Sequence, residues 1–187
     1  MKLIDKVQTI LGSVQTAAKM DLLEALKNLN IQLEELEPFL KNEQNKPYYR
    51  KLLYKNEYLE LLVMNWSELE CVPHDHGSSH GWIQVINGVS ENTVYEVKEN
   101  QLPYEIFTVK KEKGKIFFAP KGGVHKMREA QGTNLVTLHL YSPPITGMKV
   151  YDLEKCAACV VSDDCGAWWP DEESQMVKEI KLKKAAE

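Results

Sequence analysis

The sequence predicts one mainly β domain, a small barrel or jelly roll preceded by helices and followed by a short C-terminal appendage. Apolar residues recur at helical spacing over roughly the first 40 positions, form short strand-like runs from Tyr48 onward, and lose a clear pattern after Pro144. Many short strands without intervening helices are typical of barrels and sandwiches. The 187 residues are enough for one domain with a sizeable core.

Composition and charge exclude several classes of protein. Hydrophobic residues make up 43% and charged residues 27% of the chain, which are ordinary globular values and argue against disorder. The net charge of -4 argues against a nucleic-acid-binding surface. The first residues are charged where a signal peptide would be apolar, and no apolar run approaches the length that crosses a bilayer. We therefore expect a soluble, cytoplasmic monomer without nucleic-acid or membrane partners.

Residues 1–47 are expected to form helices that pack on the barrel. One apolar stripe runs from Leu3 to Val14, and a second follows Asp21. A third, short helix is expected from Leu33 to Leu40, with an interruption near Pro38. These stripes are most simply packing surface.

Residues 48–150 are predicted to form the barrel. Its strand candidates share branched, aromatic or other apolar residues bounded by turn signals. They are Tyr48–Tyr54, Tyr58–Trp66, Trp82–Ile86, Val89–Val97, Tyr104–Lys110, Lys115–Ala119 and Asn134–Tyr141. Asn87-Gly88 predicts a two-residue hairpin, because both central positions of such a turn need a positive φ.

Residues 151–187 are predicted to be the appendage, with a loop-rich segment from Cys156 to Pro170 and a polar helix from Glu172 to Lys184. The cysteines at positions 156, 159 and 165 could bind zinc with a fourth ligand, form a redox pair or have no function. The fourth cysteine, Cys71, is expected to pack as a small apolar residue.

A histidine pair is the strongest chemical signal in the chain. If the segment is a strand, His74 and His76 project to one face, while Asp75 faces the other way as a structural hydrogen-bond acceptor. Two converging neutral imidazoles make half a metal site. Taken alone, such a pair is more often a core or surface feature. A third histidine, His125, lies at the end of a second glycine- and proline-containing segment, and the combination favours a metal site.

The spacing of these histidines and of the glycines around them resembles the two signatures of the cupins. Gly81 stands where many cupins have a carboxylate ligand, so the site offers three histidines and no acid. Three neutral ligands keep the ion's double charge and leave about three positions open on an octahedral ion. His80 has no place in this spacing and is not expected to be a ligand.

Four separated pieces resemble the thiol dioxygenases and, among them, the bacterial type of cysteine dioxygenase. They are Tyr48–Arg50, His74–His76 with Gly81, Gly123–His125 and Thr137–Pro144. The resemblance implies Fe(II) held by His74, His76 and His125, and oxidation of L-cysteine by O2 to cysteine sulfinic acid. It also implies a cis Ser142–Pro143 peptide. Animal members carry, at the position of Gly81, a cysteine that is crosslinked to the tyrosine corresponding to Tyr141. This chain cannot form that crosslink.

The resemblance also implies roles for residues of two strands. Thr137, His139 and Tyr141 alternate along one strand, so their polar groups share a face, as a catalytic hydrogen-bonded relay requires. The family usually has serine in place of Thr137, and an ordinary barrel interior is the alternative. Tyr48, Arg50 and Tyr141 are expected to bind substrate, with Arg50 holding its carboxylate. A surface role for Arg50 remains the alternative.

Two other functions fit the same residues. One is a dioxygenase of 3-mercaptopropionate or another small thiol, whose members tend to lack the arginine. The other is a non-catalytic ligand-binding cupin, which needs neither iron nor the relay.

Overall fold

The computed structural model describes residues 2–15, 18–41, 48–66, 71–130, 132–163 and 175–184, with the side chains of Tyr48 and Tyr49 left out. The helices at the start of the chain are Leu3–Leu11 (α1), Lys19–Leu29 (α2) and Leu33–Leu36 (α3), and α3 passes into a 3-10 turn at Glu37–Phe39. The predicted interruption near Pro38 is therefore confirmed. Within the described ranges, no helix has both the length and the apolar character needed to cross a membrane.

The strands pair into antiparallel sheets. They are Tyr48–Lys55 (β1), Glu60–Trp66 (β2), His80–Asn87 (β3), Val89–Glu96 (β4), Tyr104–Glu112 (β5), Ile116–Ala119 (β6), Val124–Glu129 (β7), Val136–Ser142 (β8), Lys149–Asp152 (β9), Ala157–Val161 (β10) and Met176–Lys181 (β11). A five-stranded sheet has the order β1-β2-β8-β3-β6, and two three-stranded sheets have the orders β5-β4-β7 and β11-β10-β9. The predicted fold class, mainly β with N-terminal helices, is confirmed.

The five-stranded sheet is covered on both faces. On one face, Leu138 of β8 and Leu61 of β2 pack in a cluster with α1 and α2 residues such as Leu26. On the other face, Leu62 of β2 packs in a second cluster that reaches Met127 of β7, in the opposite sheet. Because both faces are covered, every residue of β8 is buried.

The hairpin predicted at Asn87-Gly88 is wrong. Strand β3 pairs with β6 and β8, whereas β4 pairs with β5 and β7, so the chain leaves one sheet at Asn87 and enters another at Val89. Gly88 has a φ of 76°, and a Cβ there would lie 2.6 Å from the Thr133 carbonyl oxygen. A corner between sheets uses the same turn residues as a hairpin, so sequence pattern alone does not separate them.

The C-terminal prediction also needs correction. Part of the segment expected to be a loop, Ala157–Val161, is strand β10, and β11 lies within the range expected to be a helix, Glu172–Lys184. Strand β11 pairs with the edge of β10, and its Ile180 packs against a small buried cluster. An open strand edge offers backbone partners that outweigh the weak helical pattern of a short polar segment. Cys165 lies outside the described residues. The division of the chain at residues 47 and 150 stays a prediction.

Candidate metal centre and active site

The segment that carries the histidine pair is not the predicted strand. His74 forms a single bridge with His125, in which the His74 amide donates to the His125 carbonyl at 2.9 Å and the reverse bond measures 3.0 Å. The chain then turns at Gly77, which has a φ of 60°. The backbone bridge ties the first histidine directly to the strand that carries the third.

Asp75 faces away from the imidazoles, as predicted. Its Oδ1 atom accepts hydrogen bonds from the amides of Gly77 and Lys149, each at 2.9 Å, and the side chain is buried. The expected structural role as an acceptor is confirmed. One carboxylate therefore fixes both the turn after the histidine pair and its contact with β9.

The three histidines come together at one point. Their ring centroids lie 4.8–5.2 Å apart. One potential ligand atom from each of His74, His76 and His125 lies within 4.8 Å of the other two. His80 stands apart, with its ring centroid 6.0 Å from that of Phe118. The arrangement is a group of three neutral-type ligands on two neighbouring chain segments.

Hydrogen bonds orient these rings. His74 Nδ1 lies 2.9 Å from the Val72 carbonyl, and His125 Nδ1 lies 2.8 Å from Asn92 Oδ1. Each acceptor places the ring proton on Nδ1 and leaves Nε2 with its lone pair. The sequence reasoning missed Asn92. Asparagine is depleted in strands, which was the available signal, but Asn92 stands in a polar run of β4, so the sequence does not distinguish it from its neighbours.

The donor set fits a divalent metal ion. His125 Nε2 and His76 Nδ1 are buried and have no hydrogen-bond partner among the described residues. Burial lowers the pKa of all three imidazoles. For His76 and His125, neighbouring imidazoles add to the effect of burial, and the pKa lies well below the usual value. Neutral rings with buried, unpartnered nitrogens are the form that binds a metal.

A chain of hydrogen bonds runs along β8 to the histidine cluster. Thr137 Oγ1 lies 2.7 Å from His139 Nε2, and His139 Nδ1 lies 3.1 Å from Tyr141 Oη. Tyr141 Oη lies 2.9 Å from His76 Nε2. Burial lowers the pKa of His139 to about 3 and raises the pKa of Tyr141, so the imidazole is neutral and the phenol protonated at pH 7.

The chain of hydrogen bonds has a further member that the sequence reasoning missed. The indole Nε1–H of Trp66, at the end of β2, donates to Thr137 Oγ1 at 3.0 Å. Trp66 is buried, and a buried tryptophan usually needs a partner for its N–H. That requirement was the available signal, but the sequence does not say which acceptor meets it.

A cavity of about 50 Å³ adjoins the cluster. Its polar lining includes Arg50, His74, His76, His139 and Tyr141, and most of the remaining lining is apolar. A space of this size suits a small ligand.

Arg50 belongs to the cavity wall rather than to the open surface. Its side chain is 18% exposed, and Nη2 lies 3.7 Å from Glu60 Oε1. Glu60 is itself buried, with Lys55 Nζ at 3.9 Å and the Ile145 amide donating to it at 3.1 Å. The side chain of Tyr48, the other residue predicted on this strand, lies outside the described part of the structure.

Position 81 has no room for a side chain in this backbone. A Cβ on Gly81 would lie 2.2 Å from the Leu140 carbonyl oxygen and 2.6 Å from Tyr141 Cδ1. Strands β3 and β8 thus approach closely beside the tyrosine. The Ser142–Pro143 peptide that follows is cis, as predicted.

The cysteines differ in their surroundings. Cys71 lines the cavity, and its Sγ both accepts from the Met127 amide at 3.1 Å and contacts the Met127 carbonyl at 3.3 Å, so it is a hydrogen-bonded residue as well as a packed one. Cys159 is buried in β10, and burial raises its pKa. In the ranges that the structure covers, neither Cys156 nor Cys159 belongs to a group of metal ligands.

Several solved structures share features of this fold at low identity. A Klebsiella pneumoniae protein with a double-stranded beta-helix domain is 17% identical, with a TM-score of 0.49 over 60% of this chain and 86% of its own. A cupin 2 conserved barrel domain protein from Rhodopseudomonas palustris is 17% identical, with a TM-score of 0.45 over 61% and 75%.

The relatives found by sequence share one description, cysteine dioxygenase type 1. Human cysteine dioxygenase type 1 is 27% identical over 111 residues, which are 56% of this chain and 56% of the human protein. The zebrafish (Danio rerio) protein of the same name is 24% identical over 156 residues, 71% of this chain and 78% of its own. The chain thus spans little more than half the length of its human relative. The family model described as cysteine dioxygenase type I matches residues 2–154, a range that contains the histidine cluster, Arg50 and β8. This chain therefore belongs to the cysteine dioxygenase type I family.

Proposed function

We propose that this protein is an Fe(II)-dependent thiol dioxygenase that oxidises L-cysteine with O2 to cysteine sulfinic acid. In that reaction both oxygen atoms are added to the thiol sulfur, which loses four electrons to dioxygen, and the product ionises to the sulfinate. One observation carries the proposal: three neutral imidazoles meet at one point, and two of them, His74 and His76, line a small cavity together with a guanidinium and a protonated phenol. The cytoplasmic location and monomeric state expected from the sequence belong to the same proposal.

His74, His76 and His125 would hold the metal. When bound, iron supplies the redox chemistry that activates dioxygen and a position for the substrate sulfur. The protein contributes three neutral nitrogens and no carboxylate, which leaves the ion its full double charge. The backbone bridge between His74 and His125 and the acceptors on both rings hold the ligands in place before the metal arrives.

Arg50 is suited to hold the substrate carboxylate. A guanidinium binds a carboxylate through two parallel hydrogen bonds, and such charge-assisted bonds are stronger in a cavity with an apolar lining. The Glu60 carboxylate, 3.7 Å away, restricts where the Arg50 side chain can go. A substrate role for Tyr48 remains part of the proposal.

Tyr141 is suited to contact the sulfur or dioxygen. Its phenol oxygen lies at the edge of the ligand cluster, 2.9 Å from His76 Nε2, and burial keeps the hydroxyl protonated by raising its pKa. His139 and Thr137 hold that hydroxyl from the opposite side. The relay therefore offers the cavity a fixed hydrogen-bonding group rather than a mobile one.

Oxygen uptake by the iron-loaded protein tests the proposal. The thiols to compare are L-cysteine, 3-mercaptopropionate and cysteamine, each as the sole thiol substrate. The sulfinate product is measured by mass spectrometry. We expect uptake and sulfinate in equal amounts with L-cysteine, and less of both with the other two. Faster turnover of 3-mercaptopropionate would assign the protein to that substrate. Iron binding without uptake of oxygen on any thiol would make it a non-catalytic binding protein.

Two histidine variants, one inside and one outside the cluster, test the ligand assignment. His125→Ala should lose most bound iron and all turnover, while the folded fraction measured by circular dichroism stays unchanged. His80→Ala removes an imidazole outside the cluster and should keep both iron and activity. Full iron occupancy in His125→Ala would contradict the ligand assignment.

A further inference from the structure

The hydrogen bonds along β8 have a direction, and the donor at one end of the series, Trp66, decides it. An indole N–H can only donate, so Thr137 Oγ1 must accept from Trp66 at 3.0 Å. The proton of the Thr137 hydroxyl then has to find its own acceptor. Trp66 and Thr137 are both buried, so water does not offer one.

Among the described residues, the acceptor within reach of that hydroxyl is His139 Nε2, at 2.7 Å. If His139 donated from Nε2 instead, Thr137 Oγ1 would receive two donors and its own hydrogen would be buried without a partner. Leaving a buried donor unpaired costs more than an ordinary hydrogen bond contributes. The threonine therefore donates and the imidazole accepts.

The direction continues through the imidazole to the phenol. A neutral imidazole carries one N–H, and burial keeps His139 neutral, so an Nε2 that accepts requires an Nδ1 that donates. That donor meets Tyr141 Oη at 3.1 Å. The Tyr141 hydroxyl hydrogen is then directed away from His139, into the cavity that Tyr141 lines. His76 Nε2, 2.9 Å from Tyr141 Oη, can donate to that oxygen, in the tautomer that leaves the unpartnered His76 Nδ1 with its lone pair.

We propose that Trp66 is a positioning residue that sets the proton direction of the whole relay, so that Tyr141 presents its O–H, and not a lone pair, to the cavity. Aligned hydrogen bonds also polarise one another, which strengthens the terminal donor. The direction itself rests on the three hydrogen bonds that join Trp66 to Tyr141. Its consequence for turnover, a donor aimed at whatever binds beside the histidines, rests on the proposed function.

The tautomer of His139 tests the direction without any turnover. Protein labelled with 15N in the histidine rings is studied without metal by long-range 1H–15N NMR, and the ring is assigned by its loss in His139→Gln. We expect a proton on Nδ1 and none on Nε2. A proton on Nε2 would overturn the proposal.

Two tryptophan variants test the role of the indole. Trp66→Phe leaves Thr137 Oγ1 free to accept from His139, so both tautomers should become populated, and kcat should fall about three- to tenfold with KM within about twofold. Trp82→Phe is the control, because its indole N–H donates to the Lys19 carbonyl at 2.8 Å, outside the relay. It should leave tautomer and kcat unchanged. An unchanged tautomer in Trp66→Phe would show that the indole does not set the direction.

Thr137 provides a second pair of variants should Trp66→Phe fold poorly. Thr137→Ser keeps the hydroxyl and should retain the Nδ1–H tautomer, whereas Thr137→Val removes it and should give a mixture. Equal tautomer ratios in the two would contradict the proposal. The outcomes also separate the two proposals: an Nδ1–H tautomer in a protein without turnover removes the function alone, and an Nε2–H tautomer in an active enzyme removes the direction alone.

Discussion

The two faces of strand β8 are equally buried and chemically opposite. Toward the helices the strand presents Val136, Leu138 and Leu140, which belong to the largest apolar cluster. Toward the cavity it presents the polar series Thr137–His139–Tyr141. All of these side chains are at most 5% exposed, so burial alone does not tell one face from the other.

The difference shows how stability and function are divided within one strand. Burying the apolar face removes hydrocarbon from water and stabilises the fold. Burying the polar face is unfavourable unless each group is hydrogen-bonded, and the relay meets that condition from Trp66 to His76. Changes on the helix face should therefore lower stability, and changes on the cavity face should mainly alter chemistry and pH dependence.

Acid should lower the stability of the protein mainly through the buried histidines of the cavity face. Burial lowers the pKa of His74, His76 and His125, and lowers that of His139 to about 3, whereas an unfolded chain protonates imidazoles near pH 6.5. The unfolded state thus binds more protons below that pH, so stability present above pH 6.5 is lost as the pH falls. Each imidazole that stays neutral contributes a loss of about 1.4 kcal/mol per pH unit.

Urea unfolding of the metal-free protein between pH 7.5 and pH 5 measures this loss. Carboxylates titrate as well at the acid end, so His139→Gln serves as the matched variant. Its free energy of unfolding should fall less steeply with acidification than that of the unmodified protein, by about 1.4 kcal/mol per pH unit below pH 6. Parallel curves would mean that His139 does not stay neutral in the folded state.

Shortening a side chain on the helix face should cost the next largest amount. Leu138 is fully buried under the helices, and Leu138→Ala should lower the free energy of unfolding by about 2–5 kcal/mol, because it leaves a cavity in a packed core. Ile106→Ala is the control, because Ile106 of β5 is 53% exposed. It should change the free energy of unfolding by about 0.5 kcal/mol or less. Turnover per folded molecule should be the same in both. Similar small losses would contradict the structural role of the helix face.

A change at Arg50 should do the reverse of a change at Leu138: it should alter the selectivity for substrate and leave the stability of the protein nearly unchanged. Cysteine and cysteamine share a thiol and an amine and differ in the carboxylate, so Arg50→Ala should lower kcat/KM for cysteine alone. A charge-assisted bond of about 1.5–3 kcal/mol corresponds to roughly ten- to over a hundredfold. Steady-state kinetics on both thiols measures the effect.

Two further variants sharpen the result for Arg50. Lysine at position 50 should rescue only in part, because it keeps the charge but lacks the planar fork. Lys51→Ala removes the neighbouring, exposed cation and should leave both thiols unaffected. If turnover of cysteine and cysteamine falls in parallel in Arg50→Ala, the residue serves chiefly to pair with Glu60, and the carboxylate is held elsewhere.

Residues close together in the chain made much of the site predictable. Thr137, His139 and Tyr141 are two apart on a strand, and the period of two places them on one face whatever the strand packs against. The histidine pair converges although its segment is a bridge and a turn rather than a strand. Asn92 and Trp66 could not be assigned, because each contacts its partner only after strands distant in sequence pair or pack.

By itself, the sequence determined the helical start of the chain, most strands of the barrel and the set of histidines, since these depend on periodicity and on residue chemistry. Tertiary structure alone decided which strands became neighbours. Asn87-Gly88 turns between sheets instead of closing a hairpin, and β11 is a strand because the edge of β10 was open to it. Strand pairing joins backbone groups that look alike in every residue, so local sequence cannot specify the partner, and the buried contacts of the whole fold select it.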